Sequence, residues 1–162
     1  MISQAYLKSI IVYDANKGIL IWKKARSNRV KMGQEAGFLS NGYYSIQLDG
    51  KFYRRSRIAW FYVYGEWPQS IDHINHITTD DRISNLRAAT LSENQGNRRL
   101  NKNNKCGYKG VHFFKRTKKW CAQITINKRG KNLGYFDTPE LAHKAYMKAA
   151  KQIFKDFAHS GR

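Results

Sequence analysis

The short stretch from Asn101 to Cys106 constrains the fold of this chain more than any other feature. It is polar and basic, with no apolar periodicity, so it cannot join a packed core. The chain is therefore expected to fold as two small units, residues 1–100 and 107–162, joined by a linker over 101–106. Each unit must bury its own core. The 162 residues are 41% hydrophobic and 14% aromatic, which is enough apolar side chain for both.

Before the linker, residues 1–9 read as a short helix and Gly18 to Lys23 as an apolar run of strand length. Tyr43 to Leu48 and Lys51 to Arg54 flank Asp49-Gly50, a two-residue hairpin turn in which glycine takes the positive φ such turns require. Ser56 to Gly65 predicts a buried helix, capped by Ser56 and stopped by Gly65. Trp67-Pro68 then breaks the chain. A short strand over Leu86 to Thr90 and a helix over Leu91 to Arg99 follow. After the linker, strands are expected at Gly110 to Lys115, Trp120 to Asn127 and Lys131 to Asp137, with turns at Thr117-Lys118 and Arg129-Gly130. Pro139 opens a helix whose Ala142, Ala145, Tyr146, Ala149, Ala150, Ile153 and Phe154 recur at helical spacing. The class is α+β.

The net charge of +19 repels itself unless a polyanion neutralises it. From Asn94 to Phe136 there is no Asp or Glu, whereas Lys and Arg recur throughout. A solvated face normally mixes signs, so a one-sign block of this length points to phosphate contacts and to nucleic acid. There is no apolar run long enough to span a bilayer and no long basic amphipathic helix, so no membrane partner is expected. The N-terminus lacks the charged-then-apolar pattern of a secretion signal, which makes the cytoplasm the expected setting. Cys106 and Cys121 do not have zinc-knuckle spacing and are expected as small buried or half-buried side chains.

The chemistry concentrates between Asp72 and Asn94. Cutting a phosphodiester needs an activated water, charge stabilisation on the phosphate, and help for the departing oxygen. An imidazole, with an ordinary pKa near 6.5, is a suitable base, and His73 is that candidate. A hard divalent cation suits the remaining tasks, and Asp72 with the amide oxygen of Asn94 offers the oxygen donors it takes. On an extended strand Asp72 and His73 point to opposite faces, so both can serve one site only if the strand bends or ends there. Read alone, an Asp-His pair is a surface hydrogen bond and Asn85 a turn or cap residue.

Ile71-Asp72-His73-Ile74-Asn75, then Asp81-Arg82-Ile83-Ser84-Asn85-Leu86-Arg87, Thr90 and Glu93-Asn94-Gln95 resemble the ββα-metal motif (the His-Me finger) of HNH endonucleases, especially phage and intron-associated homing endonucleases. The region with Gly33, Ala36-Gly37, Gly42-Tyr43, Arg57, Ala59-Trp60 and Gly65 to Pro68 resembles what precedes this motif in such enzymes. The resemblance implies a nuclease module over 1–100, with the motif at 71–99. It makes His73 the general base, has Asn85 orient that imidazole by a hydrogen bond, and has Asp72 and Asn94 bind Mg²⁺ or Mn²⁺. Two positions depart from the pattern. His76 stands where a glycine usually follows and is expected to strain the loop; Asp81 stands where an asparagine is common. A non-catalytic DNA-binding regulator with a decayed nuclease motif is the rival reading these departures leave open.

Beyond the linker, Gly110-Val111, Lys119 to Ile124, Leu133 to Thr138, Glu140, Ala142, Ala145-Tyr146 and Ala149-Ala150 resemble the DNA-binding domain of plant ethylene response factors, the APETALA-two type. The resemblance implies a three-stranded antiparallel sheet laid in the major groove, packed on one helix. Alternation along Trp120 to Asn127 puts Trp120, Ala122, Ile124 and Ile126 on one face and Cys121, Gln123, Thr125 and Asn127 on the other. The expected DNA contacts are Gln123 and Thr125, flanked by Arg98, Arg99, Lys109, His112, Arg116, Lys118, Lys128, Arg129 and Lys131. Tyr53, Arg54, Arg55 and Arg57 are further candidates for backbone contact, while Trp60, Phe61 and Trp67 read as core. The whole is expected to be a monomeric homing-type endonuclease on duplex DNA, of phage or mobile-element origin, nicking because one chain carries one site. An RNA-binding module fits the charge but lacks an aromatic RNA-reading motif.

Overall fold

The computed structural model describes residues 2–25, 27 and 30–161. The described residues have a mixed α and β architecture of four helices and several small sheets, and the chain divides into Met1–Ala89 and Thr90–Arg162.

In the first unit, helix α1 (Gln4–Ile10), capped by the Ser3 hydroxyl, leads into a hairpin of β1 (Ile11–Asp14) and β2 (Ile19–Trp22). A second sheet has the order β3 (Phe38–Ser40), β4 (Tyr43–Leu48), β5 (Lys51–Arg54). Asp49 (φ 48°) and Gly50 (φ 77°) turn β4 into β5 as the sequence predicts, both central residues taking positive φ. Helix α2 (Arg55–Tyr64) follows directly and ends on Gly65, left-handed at φ 75°. Ser56 is not its cap: Arg54 holds that position without a side-chain bond, and Ser56 is buried inside the first turn. Leu7, Ile11, Leu20, Ile46, Leu48 and Ile58 are all but fully buried together, with Tyr13, Trp22 and Phe61 around them. Each buried aliphatic chain is worth roughly 1.5–3 kcal/mol. Trp67 stacks on Phe61 at 4.3 Å and on Tyr53 at 5.5 Å, so it is core. The unit closes with β6 (Ser70–His73) antiparallel to β7 (Leu86–Ala89).

The second unit opens with α3 (Leu91–Asn97), whose capping box pairs the Thr90 and Glu93 side chains with each other's backbone N–H. The division falls at 89/90 rather than at 101–106 because α3 packs on the C-terminal helix: a Cβ on Gly96 would stand 2.6 Å from the Phe154 ring. Strands β8 (Val111–Phe114), β9 (Lys119–Ile126) and β10 (Arg129–Phe136) form an antiparallel sheet with β9 central, and α4 (Pro139–Phe154), capped by Thr138, packs against it. The β9–β10 turn lies at Asn127-Lys128, both left-handed, so Arg129 and Gly130 belong to the strand and not to the turn expected there. Ala142 and Ala150 let α4 approach Val111, Ala122 and Ile124 closely, with Tyr146 filling the hollow over Gly110. Among the described residues no helix is long and apolar enough to cross a membrane. Both cysteines are free thiols, Cys121 buried and Cys106 half-buried.

Gly18 ties the hairpin to the β6–β7 region. A Cβ there would lie 2.3 Å from the backbone nitrogen of Arg82 and 2.6 Å from the carbonyl carbon of Asp81, at a φ of 69°. Gly18→Ala is expected to destabilise the protein by roughly 2–4 kcal/mol in denaturant titration. Gly50→Ala, with open space around its Cβ, is expected to cost about 1–2 kcal/mol from φ alone.

Candidate active site

Strand β6 ends at His73, and Asp72 and His73 engage different partners, as neighbours on an extended strand do. Asp72 sits opposite Arg87 in the β6–β7 register, and the Arg87 Nε–H donates to Asp72 Oδ2 at 2.7 Å. His73, buried at 6% exposure, turns its Nε2 to Asp81 Oδ1 at 2.9 Å and lies 6.2 Å from the Tyr43 ring.

Asn85 does not orient the imidazole. Its Oδ1 accepts from the backbone N–H of Asn75 at 2.9 Å and its Nδ2 donates to the carbonyl of Asp80 at 2.8 Å, closing the loop between β6 and β7 across its neck. Asn75 reinforces the closure by donating to Asp80 Oδ2 at 2.7 Å. Arg82 donates to both carboxylate oxygens of Asp80, at 2.8 and 2.6 Å. The hydrogen bond from Arg82, with that from Asn75, holds the Asp80 carboxyl down at about 2. Within this loop His76 takes φ 61°, the left-handed conformation for which glycine is suited.

Asp81, at 2% exposure, is the most buried acid of the site. Its Oδ2 accepts from Arg55 Nε at 2.8 Å, and its backbone carbonyl accepts from the Tyr13 hydroxyl at 2.7 Å, a proton that burial secures by pushing the phenol up to about 12. Arg55 is itself fixed, with Nη1 on Glu35 at 2.5 Å and its guanidinium 3.7 Å above the Tyr44 ring. Arg55 is thus not available to DNA. Arg54 and Arg57 donate to the carbonyls of Ser40 and Pro68 and lie over Tyr43 and Trp67. The sequence offered Arg55 as a DNA-backbone contact and not as the partner of a buried acid; the one signal for that role was the acid at position 81, which needs a buried partner.

Asn94 stands in the second turn of α3, half-buried, in the other unit. The carboxylate of Asp72 and the amide oxygen of Asn94 are hard oxygen donors of the kind Mg²⁺ and Mn²⁺ accept. Among the described residues no group of three or more His, Cys, Asp or Glu side chains converges as a metal cage.

On the C-terminal sheet, Gln123 and Thr125 are exposed on β9 and His112 is exposed on β8, where it pairs with Cys121 of the same β9 face. Cys121 lies on that face but is buried at 4% exposure. Arg116 and Lys118 sit exposed in the β8–β9 turn and Lys128 in the β9–β10 turn. Arg129 and Lys131 pair with Ile126 and Ile124, so the register puts them on the helix side of the sheet, not the Gln123 side. Arg98 and Arg99 are exposed beyond α3. Lys109 is spent internally: its ammonium donates to the carbonyls of Gly96 (2.6 Å), Arg98 (2.7 Å) and His159 (3.3 Å). Burial and the nearby Arg98 push its pKa down to about 8, against the three carbonyls, which favour the charged form.

Residues 53–95 match the family model described as HNH endonuclease. The chain is 29% identical over 107 residues to Protein 3.8 of Escherichia phage T7, a span of 65% of this chain and 88% of that protein. No solved structure matches. No comparison supports the ethylene-response-factor resemblance of the C-terminal part, which rests on its residue pattern alone.

Asp80 is held below its unfolded value of 3.8, so the stability it contributes is present above that pH and lost as pH falls through about 2. The Asn75 side-chain amide resonances are expected to shift with a midpoint near that lower value in wild type and to stay flat in Asp80→Asn.

Proposed function

We propose that this chain is a metal-dependent DNA endonuclease of the HNH homing type that nicks duplex DNA. The observation that carries the reading is the pairing of Asp72 and His73 at the end of β6, beside a loop closed by Asn85, within the segment that matches the HNH endonuclease family. In this reading His73 takes the proton of the attacking water, Asn85 keeps the β6–β7 loop in shape, and Asp72 with Asn94 holds Mg²⁺ or Mn²⁺. The bound cation would supply charge stabilisation to the phosphate and the departing oxygen. Arg87 keeps the Asp72 carboxylate in one orientation.

Residues 107–162 serve as the DNA-holding part and residues 1–100 as the nuclease part, joined by 101–106, with α3 belonging to the nuclease part by its Asn94 while packing within the second structural unit. Gln123, Thr125 and His112 meet base edges, and Arg116, Lys118 and Lys128 meet phosphates; Arg98, Arg99, Arg129 and Lys131 add charge at the periphery. The protein acts as a monomer in the cytoplasm of a host cell, as a phage or mobile-element product. The T7 protein supports the phage setting.

Plasmid incubated with Mg²⁺ or Mn²⁺ is expected to be nicked by wild type and by His73→Ala at a rate about 10²- to 10⁴-fold lower. Equal cutting by the two removes His73 from the chemistry. Retarded DNA mobility without cutting in any divalent metal would instead establish the non-catalytic regulator, the reading that the strained His76 favours. In binding titrations over a salt series, Lys128→Ala is expected to weaken binding to all duplexes and lower the salt slope by about 1, whereas Gln123→Ala is expected to relax discrimination at one base pair.

A further inference from the structure

The HNH pattern accounts for His73 but not for the acid that holds it. Asp81 occupies a position where an asparagine is common, and it is buried to 2% exposure with both carboxylate oxygens engaged, Oδ1 by His73 Nε2 and Oδ2 by Arg55 Nε. An acid buried this deeply is costly unless paired. Its immobility is determined several times over. The Tyr13 hydroxyl donates to its carbonyl, the Gly18 backbone packs against the 81–82 peptide, and Arg55 is anchored by Glu35 and Tyr44. The carboxylate can therefore neither rotate off the imidazole nor follow it.

A carboxylate oxygen 2.9 Å from an imidazole nitrogen accepts a hydrogen bond and donates none, so Nε2 must carry the proton. In a neutral ring that leaves the lone pair on Nδ1. We propose that Asp81 is a positioning residue for His73, fixing the imidazole in the Nε2–H tautomer so that Nδ1 is the nitrogen that takes the proton of the attacking water, with Arg55 holding the carboxylate in place. The arrangement follows the carboxylate–histidine logic of hydrolytic triads, in which the acid sets tautomer and ring orientation without itself accepting the proton. In the step, water loses its proton to Nδ1 while its oxygen forms the new bond to phosphorus; the scissile P–O bond breaks with its electron pair on the departing sugar oxygen, which takes a proton from solvent water, and Asp81 stays a carboxylate throughout.

This inference rests on the nuclease reading, and the test separates the two. Two-bond ¹H–¹⁵N correlation spectra of the metal-free full-length chain, recorded about two units above the ordinary imidazole pKa, report the tautomer of His73 directly. The pattern of a ring protonated at Nε2 is expected in wild type, and it is expected to give way to a tautomer mixture in Asp81→Leu. Plasmid nicking by Asp81→Leu is expected to fall about 10²-fold with DNA affinity unchanged, and Asp81→Asn, whose amide oxygen is taken by Arg55 Nε–H so that its NH2 faces Nε2 and favours the Nδ1–H tautomer, is expected to fall at least as far. Should Asp81→Leu fail to fold with Arg55 left unpaired, the double variant Arg55→Met/Asp81→Leu removes the buried pair together. A wild-type ring protonated at Nδ1, or a folded Asp81→Leu protein that nicks like wild type, overturns the assignment of Asp81 alone. Absence of nicking by wild type overturns it together with the nuclease reading.

Discussion

One buried carboxylate organises the N-terminal unit. Asp81 has Arg55 at the first residue of α2 on one oxygen, His73 at the last residue of β6 on the other, and the hydroxyl of Tyr13 from β1 on its carbonyl. Three segments distant in sequence converge on it. Removing one partner of such a group leaves a buried charge uncompensated, a cost of roughly 3–5 kcal/mol, so the network acts as a unit. The buried side of α2 thereby becomes part of the support of the candidate site, and an arginine that by composition belongs to the DNA-attracting charge is withdrawn from it.

The loop that follows His73 is ordered by small polar side chains instead of apolar packing. Asn75, Asp80, Arg82 and Asn85 bond to one another and to the loop backbone, which leaves the exposed Ile74 and Ile77 outside any core. Such a loop keeps its shape at the surface, where a substrate can reach it, without apolar burial. His76 in a left-handed conformation is the strained point in that loop, and the multiple closures around it are what hold the backbone there.

The second unit solves a different problem. A three-stranded sheet has two faces and only one helix to cover it, so one face is left for solvent or a partner. The small residues of α4 bring the helix close on one side, and Gln123, Thr125 and His112 remain exposed on the other. Lys109, drawn in to satisfy three carbonyls at the ends of two segments, shows that charge in a basic stretch is not all available to a polyanion.

Local patterns were enough to determine the elements that depend on local physics: the Asp49-Gly50 hairpin, Gly65 as the stop of α2, the strands β4 and β7, and the proline-initiated α4 with its alanine stripe. The family likeness of the segment from Asp72 to Asn94 was legible for the same reason, since it lies in residue types at fixed spacing, and residues 53–95 match the HNH endonuclease model. Strand β1, the pairing of β3 with β4, and the boundary at 89/90 were not, because each is set by partners far along the chain. The roles of individual polar residues were likewise undecided. Whether Asn85 meets the imidazole or the loop, whether Arg55 and Lys109 face solvent or the interior, and whether Asp81 is a liability or a support depend on which donors and acceptors are buried together. Burial, which only the tertiary structure fixes, obliges each such group to find a partner.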